Sequence, residues 1–209
     1  MYLMTRRTRI TSGAGLEWAA TILGRVKEVT GNDVQLWGNV YSAGFGTISW
    51  TSWWADLGSM EAAFAKLEAD PGYIEMGAAG ESLIEGGVDD ELIQTVSGEP
   101  GDDAGTVQYV AGVQAVCAAG NIVRAMTAGI EIAAKATAIG GANTICVRSL
   151  TGPYGQIGWL TGYEDLSALG EAQDKLAADE GWLSYLDSTQ GCFVEDPAVT
   201  VTTLYRRLA

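Results

Sequence analysis

The sequence contains no histidine among its 209 residues. Ser-His-Asp and Cys-His catalysis, histidine-ligated haem and the usual zinc and non-haem iron sites all need imidazole, so these mechanisms are excluded. Cations are also scarce, because 12 Lys+Arg stand against 26 Asp+Glu and give a net charge of −14. Nucleic acids and anionic membranes attract proteins through cationic side chains, so we expect neither as a partner. We also expect no metal and no resident cofactor.

Cysteine is the next scarce residue. Cys117, Cys146 and Cys192 are odd in number and show no CxxC spacing, which favours a reducing compartment over a disulfide framework. Residues 1–10 lack the apolar run of a signal peptide, and charges interrupt the apolar helical segment 122–139, so it is not a membrane span. We therefore expect a cytoplasmic protein.

What the sequence does contain is an internal repeat. Trp50 and Trp159 lie 109 residues apart, and one ungapped shift of that length aligns many further residues. The aligned pairs include Gly31 with Gly140, Phe45 with Tyr154, Ile48 with Ile157, Asp56 with Asp165, Lys66 with Lys175, Asp70 with Asp179 and Gly72 with Gly181. Chance does not explain identities spread over several elements. We predict a duplication, with repeat 1 over 1–98, a linker over 99–106 and repeat 2 over 107–209.

The residue pattern of each copy predicts the element order strand–helix–strand–strand–helix–strand. In the first copy the strands are 2–10, 34–41, 45–53 and 91–96, recognised by β-branched and aromatic residues between turn signals. Asp56 and Asp165 each precede an amphipathic run, and this position favours a helix N-cap over a pair of catalytic carboxylates. Asp70 and Asp179 are predicted turn residues. The βαββαβ order is that of a ferredoxin-like α+β unit.

The segment Trp50–Tyr73, a strand followed by an Asp-capped helix and then Asp-Pro-x-Tyr, resembles the dimeric α+β-barrel superfamily. That superfamily includes the antibiotic-biosynthesis monooxygenase-like and NIPSNAP-like families. The resemblance implies that two tandem ferredoxin-like βαββαβ repeats pair within one chain as a pseudo-dimeric α+β barrel. It also implies a small-molecule ligand between the two sheets.

The two-residue period of strands sorts side chains between the faces of such a sheet. Ile48, Trp50, Ile157 and Trp159 are interpreted as the core that faces the helices. The residues that alternate with them along the strands are expected to face the barrel interior, where they form a candidate ligand site. The alternative, which stays open, is an interior filled by side chains with no room for a ligand. The candidate site residues are Gln35, Trp37, Asn39, Tyr41, Ser49, Cys146, Arg148 and Gln156.

Two alternative functions are compatible with this predicted architecture. The resemblance implies a protein that binds or transforms a small organic ligand, as a cofactor-independent oxygenase or isomerase that orients its substrate with Asn39, Tyr41 and Arg148. The alternative is a non-catalytic structural or interaction protein that self-assembles, as a homo-oligomer, or binds a protein partner. The cationic cluster of Arg6, Arg7 and Arg9 is expected to pair with carboxylates of the other repeat or of a second subunit.

Overall fold

A computed structural model describes residues 1–44, 46–101 and 105–209. Phe45 and residues 102–104 of the predicted linker lie outside the described residues. The elements in chain order are β1 Tyr2–Ile10, α1 Gly13–Thr30, β2 Val34–Val40, β3 Thr47–Trp54, α2 Leu57–Glu68, α3 Pro71–Gly80, a 3₁₀ turn Glu81–Leu83, β4 Ile84–Ser97, β5 Tyr109–Val116, α4 Ile122–Gly140, β6 Thr144–Ser149, β7 Gln156–Tyr163, α5 Leu166–Ala178, α6 Glu180–Ser188 and β8 Val201–Arg207.

Four aspartates begin helices. Asp56 caps α2 by accepting the backbone N–H of Ser59, and Asp165 caps α5 in the same way, so the predicted caps are confirmed. Asp70 and Asp179, predicted as turn residues, are the N-caps of α3 and α6. These two short helices follow the second main helix of each half and add to the βαββαβ order.

The chain divides into two compact units. Unit 1 comprises 1–92 and 206–209, and unit 2 comprises 93–205. These bounds differ from the predicted repeats because the long strand β4 continues past Leu92. In addition, Leu208 at the C-terminus donates its backbone N–H to Leu36 O of β2 over 2.7 Å.

The strand order is the same in both halves. It is β4–β1–β3–β2 for the first four strands and β8–β5–β7–β6 for the last four, all antiparallel where their registers are defined. The predicted α+β fold with two ferredoxin-like units is therefore confirmed. None of the helices in the described parts of the chain is both long and apolar enough to cross a membrane.

Each unit has its own core between helices and sheet. In unit 1, Ile48 and Trp50 of β3 pack against α1, and in unit 2 Ile157 and Trp159 of β7 pack against α4. The helix-facing assignment of all four residues is therefore confirmed. Helix α4 approaches β7 so closely that a Cβ added at Gly129 would lie 2.4 Å from Ile157 Cδ1.

In the strands before the two hairpins, β2 and β6, the correspondence between the units differs by one residue from the ungapped shift that relates β3 to β7. Trp50 pairs with Leu36, whereas Trp159 pairs with Cys146. Cys146 thus stands where Leu36 stands in unit 1, and not at the place of Trp37 that the ungapped shift assigned to it. The left-handed cap residue that corresponds to Gly31 is likewise Gly141, with φ 82°, and not Gly140.

A shift of one residue moves a strand side chain to the opposite face of the sheet. Cys146 is fully buried in the helix-side core of unit 2, among Ala125, Ala128 and Trp159. Its predicted position on the helix-free face is wrong for this reason.

Candidate small-molecule site

Unit 1 contains a cavity of about 420 Å³ between its sheet and its three helices. This volume lies within the usual range for small-molecule sites. The register of β1 with β3 sets Arg6 opposite Trp50 and Met4 opposite Ser52, so these side chains share the helix-side face. The sheet side of the cavity is formed by Met4, Arg6, Val34, Trp50, Ser52 and Trp54. The helices supply Trp18 and Ile22 from α1, Phe64 and Leu67 from α2, and Tyr73 and Gly77 from α3.

Three indole rings line the cavity, and their N–H groups are bonded within the protein. Trp18 donates Nε1–H to Met76 O over 2.7 Å, and Trp50 donates to Ala19 O over 3.0 Å. Trp54 donates to Ser52 Oγ over 2.8 Å. Trp18 and Trp50 also meet edge to face, with centroids 5.6 Å apart. The rings therefore present carbon to the cavity and make it apolar.

The polar groups of the cavity meet at one corner. Arg6 forms a bidentate ion pair with Asp90, with Nε–Oδ1 at 2.8 Å and Nη2–Oδ2 at 2.7 Å, and donates Nη1–H to Tyr73 Oη over 3.0 Å. A guanidinium has five N–H donors, so these contacts leave two available. Hydrogen bonds to Asp90 raise the pKa of Arg6 above its ordinary value, against burial, so Arg6 remains cationic.

Two further polar groups line the cavity. The hydroxyl of Ser52 accepts from Trp54, which leaves its own proton for a ligand acceptor. Glu81 also lines the cavity, so the charged residues of its lining are two carboxylates, Glu81 and Asp90, and the guanidinium of Arg6. The lining has a net formal charge of −1, which disfavours an anionic ligand.

The wall beside this corner is the first part of β4, which is held to β1 by ion pairs. Besides the Arg6–Asp90 pair, Arg7 bonds Glu91, and Arg9 Nε lies 3.3 Å from Glu85 Oε2. These partners belong to the same repeat. The expectation that the arginine cluster pairs with the other repeat or with a second subunit is therefore wrong.

Helix α3 is fixed at its first turn. Asp70 accepts the backbone N–H of Tyr73 over 2.7 Å and forms a bidentate pair with Arg25 of α1 at 2.9 and 2.6 Å. The bonds from Arg25, followed by the Tyr73 amide, lower the pKa of the Asp70 carboxyl. This contact positions Tyr73 on the cavity.

None of the eight residues predicted from the sequence lines this cavity. Trp37 and Ser49 are buried and paired across β2 and β3, on the sheet face opposite Trp50. Trp37 donates Nε1–H to Thr51 Oγ1 over 2.9 Å, and its ring lies under Arg207, whose Cζ is 5.9 Å from the ring centroid. The predicted face of Trp37 and Ser49, opposite Trp50, therefore agrees with the structure.

The other predicted residues lie outside the cavity, in the hairpins and near strand ends. Tyr41 is 85% exposed with φ 49°, and Asn39 donates to Ala43 O over 3.3 Å within the same hairpin. Arg148 pairs with Ile157 and shares the face of Cys146, so its predicted position on the helix-free face is wrong for the same reason. Its side chain is exposed and donates to Gln94 Oε1 over 2.9 and 2.7 Å. Two further residues lie near strand starts: Gln35 donates to Asp33 Oδ2 over 3.2 Å, and Gln156 begins β7. Whether any of these eight residues binds a ligand stays a prediction.

Sequence reasoning missed the polar corner, although β1 contains a usable signal. Arg6 has the same strand parity as Met4, so it shares a face with an apolar residue. A guanidinium on such a face needs a partner.

Among the described residues, no group of three or more acidic or cysteine side chains is arranged to hold a metal ion.

Comparison with known proteins finds likeness in structure and none in sequence. No family model matches the chain, and no curated protein matches it. A candidate monooxygenase of Fusobacterium nucleatum superposes with a TM-score of 0.68 at 9% identity, over 100% of this chain and 92% of that one. A candidate monooxygenase of Lactobacillus acidophilus gives 0.64 at 8% identity, over 99% and 93%. Chlorite dismutase of Candidatus Nitrospira defluvii gives 0.54 at 12% identity, over 98% and 90%.

At such low identity the likeness defines the fold. The chain has the fold of these α+β-barrel structures over essentially its whole length. What the chain binds or transforms has to be argued from the cavity itself.

Proposed function

We propose that the chain binds a neutral, planar and mostly apolar small molecule in the cavity of unit 1, with one ligand oxygen directed at Arg6 and Tyr73. The main support is the combination of three indole rings, each with its N–H already bonded, and a single polar corner. Apolar walls with a few convergent polar groups are typical of ligand pockets.

The polar corner favours an oxygen acceptor on the ligand. Arg6 has two N–H donors outside its contacts with Asp90 and Tyr73, and the Ser52 proton is a third donor on the sheet side. The excess of carboxylates in the cavity lining favours a neutral oxygen, such as that of a phenol or ketone, over a carboxylate.

The binding proposal is tested with 9-phenanthrol and phenanthrene, which differ only by a hydroxyl. The wild-type protein is expected to bind both, and Tyr73→Phe is expected to weaken 9-phenanthrol about fivefold, the effect of one hydrogen bond of about 1 kcal/mol, while phenanthrene is unchanged. Isothermal titration measures both affinities. Failure of the wild-type protein to bind either compound would refute the proposal.

We further propose that the ligand is a substrate and that the chain is an oxygenase-like or isomerase-like enzyme that uses no cofactor. A ketone oxygen held by Arg6 and Tyr73 becomes an enolate when a neighbouring C–H proton leaves, and both donors stabilise that charge. Glu81 lines the cavity outside the Arg6–Asp90 pair and is the candidate base. Reprotonation at another carbon completes an isomerisation, whereas attack on dioxygen begins an oxygenation. The candidate monooxygenases of similar fold support this class.

Proton abstraction can be measured without knowing the natural substrate. In deuterated buffer, 2-tetralone is expected to exchange its C–H protons faster with the protein than without it. Glu81→Gln is expected to slow the exchange at least about tenfold with little change in 2-tetralone affinity. An exchange rate equal to that of buffer would contradict the catalytic proposal and leave the binding proposal intact.

A second candidate function is self-association or binding of a protein partner. It is supported by Tyr41 and Tyr154, which are 85% and 88% exposed in the hairpin connections of the two units. Exposed aromatic residues are enriched at interfaces. Sedimentation velocity tests self-association. A wild-type oligomer that becomes a monomer in the double variant Tyr41→Ser/Tyr154→Ser would support this function. A wild-type monomer at all concentrations would count against self-association.

A further inference from the structure

Gly80, the last residue of α3, is buried against the indole of Trp18. A Cβ added at Gly80 would lie 2.1 Å from both Cε2 and Cζ2 of Trp18. Its backbone has φ −80° and ψ −15°, a conformation that any residue adopts. Glycine is therefore required at position 80 by the space that Trp18 occupies and not by backbone conformation.

Trp18 is held in this place by two further contacts. Its Nε1–H bonds Met76 O over 2.7 Å, and its ring meets Trp50 edge to face. The same ring lines the cavity. A side chain at position 80 would push the ring by more than about 1 Å to reach ordinary contact, and the cavity offers open space beside it.

We infer that Gly80 is a specificity-determining residue of the cavity, because its missing side chain lets Trp18 withdraw and leaves room for a ligand of several fused rings. This inference rests on the proposed binding function. It assigns the size limit of the ligand to a residue that does not itself line the cavity.

Gly77 provides a matched control on the same helix. It lies one turn before Gly80 and lines the cavity, but a Cβ added there meets nothing within 4 Å. Gly77→Ala and Gly80→Ala make the same chemical change in the same helix and gain similarly in helix propensity. They differ in whether Trp18 has to move.

The test measures binding of phenol and 9-phenanthrol to the wild-type protein and both variants. Gly80→Ala is expected to weaken 9-phenanthrol at least about tenfold and phenol less than about threefold. Gly77→Ala is expected to change each affinity less than about threefold. Near-ultraviolet circular dichroism is expected to change in Gly80→Ala only, because the Trp18–Trp50 pair is displaced.

The double variant Trp18→Phe/Gly80→Ala keeps the inference testable if Gly80→Ala folds poorly. Phenylalanine is smaller than tryptophan and lacks Cζ2, one of the two atoms nearest the new methyl group, so folding and 9-phenanthrol affinity are expected to recover relative to Gly80→Ala. Strictly additive effects of the two substitutions would overturn the inference, and so would equal 9-phenanthrol affinities in Gly80→Ala and wild type. If the wild-type protein bound neither probe, the binding proposal itself would fail, which is a separate and recognisable result.

Discussion

Trp50 and Trp159 hold equivalent positions in the two units, each donating its indole N–H to a carbonyl of the first helix of its unit. Trp50 bonds Ala19 O over 3.0 Å, and Trp159 bonds Gly129 O over 2.8 Å. Both rings are at least nine-tenths buried, and each meets another aromatic ring edge to face, Trp18 for Trp50 and Phe193 for Trp159. One residue type in one position thus joins sheet to helix in both units.

Each of the substitutions Trp50→Ala and Trp159→Ala is expected to lower the free energy of unfolding by about 3–5 kcal/mol, because each removes a buried ring together with its hydrogen bond to a helix carbonyl. Urea unfolding at neutral pH measures the loss. The exposed Tyr154→Ala serves as a control with little expected effect. A loss below about 1 kcal/mol at either tryptophan would contradict the core assignment.

The features that sequence predicted best are those set by local patterns. The period of two and the shared offset placed Ile48, Trp50 and Trp159 on the helix-facing side, and the N-caps at Asp56 and Asp165 follow from residue type and position.

The prediction that one ungapped offset relates every strand of the two units is wrong. A one-residue change before the second hairpin shifts β6 against β2, and this places Cys146 on the face of Leu36. Gly140 and Gly141 are adjacent glycines that can each cap α4, and it is Gly141 that has the left-handed backbone of the cap and donates its N–H to Thr137 O.

The cavity could not be predicted for a different reason. It depends on how the helices pack against one another and against the sheet, and this packing follows from tertiary contacts such as Gly80 with Trp18 between helices of unit 1 and Gly129 with Ile157 between helix and sheet of unit 2. The Arg6–Asp90 contact joins residues 84 positions apart, and no local pattern fixes such a pairing.

Asp90→Asn is expected to change which ligands bind more than it changes stability. The Arg6–Asp90 pair is partly exposed, so its loss is expected to lower the free energy of unfolding by less than about 1 kcal/mol. The corner then gains one unit of positive charge, and 9-phenanthrenecarboxylate is expected to bind about tenfold more tightly than to wild type. Titration at low and high salt measures the effect, which should shrink as salt rises.

The neutral ligand 9-phenanthrol is the control for this variant. Its affinity is expected to change only a few-fold, because the charge difference acts on anions. Equal binding of the carboxylate to Asp90→Asn and wild type would contradict the electrostatic account of the corner.

Asp70→Asn is expected to lower stability at neutral pH and to lose this effect in acid. Arg25 and the Tyr73 amide lower the pKa of the Asp70 carboxyl from its ordinary 3.8. Because the folded state favours the ionised form, the stabilisation is complete above that ordinary value and disappears as pH falls through the lowered one. Asparagine is itself a good N-cap, so the substitution removes mainly the charge. Urea unfolding at about pH 6 and about pH 2.5 measures the difference.

Asp179→Asn in unit 2 is the matched control. Asp179 caps α6 in the same way, but the residue that corresponds to Arg25 is Lys135, whose Nζ lies over the ring of Tyr185, 4.8 Å from its centroid. A smaller pH dependence is therefore expected. An effect of Asp70→Asn that grows towards acid, or that equals that of Asp179→Asn, would contradict the assigned role of Arg25.

Filling the cavity tests the central claim most directly. Position 77 lies on the inward side of α3 in phase with Tyr73, and a side chain there meets no atom within 4 Å at its Cβ, so Gly77→Leu is expected to occupy the cavity while the protein stays folded. Tyr41→Ala, at an exposed residue outside the cavity, is the control. Isothermal titration with 9-phenanthrol is expected to show one site per chain in wild type and Tyr41→Ala and no binding in Gly77→Leu at an unchanged Tm. Equal binding by wild type and Gly77→Leu, or loss of binding in Tyr41→Ala alone, would place the ligand elsewhere and contradict the account.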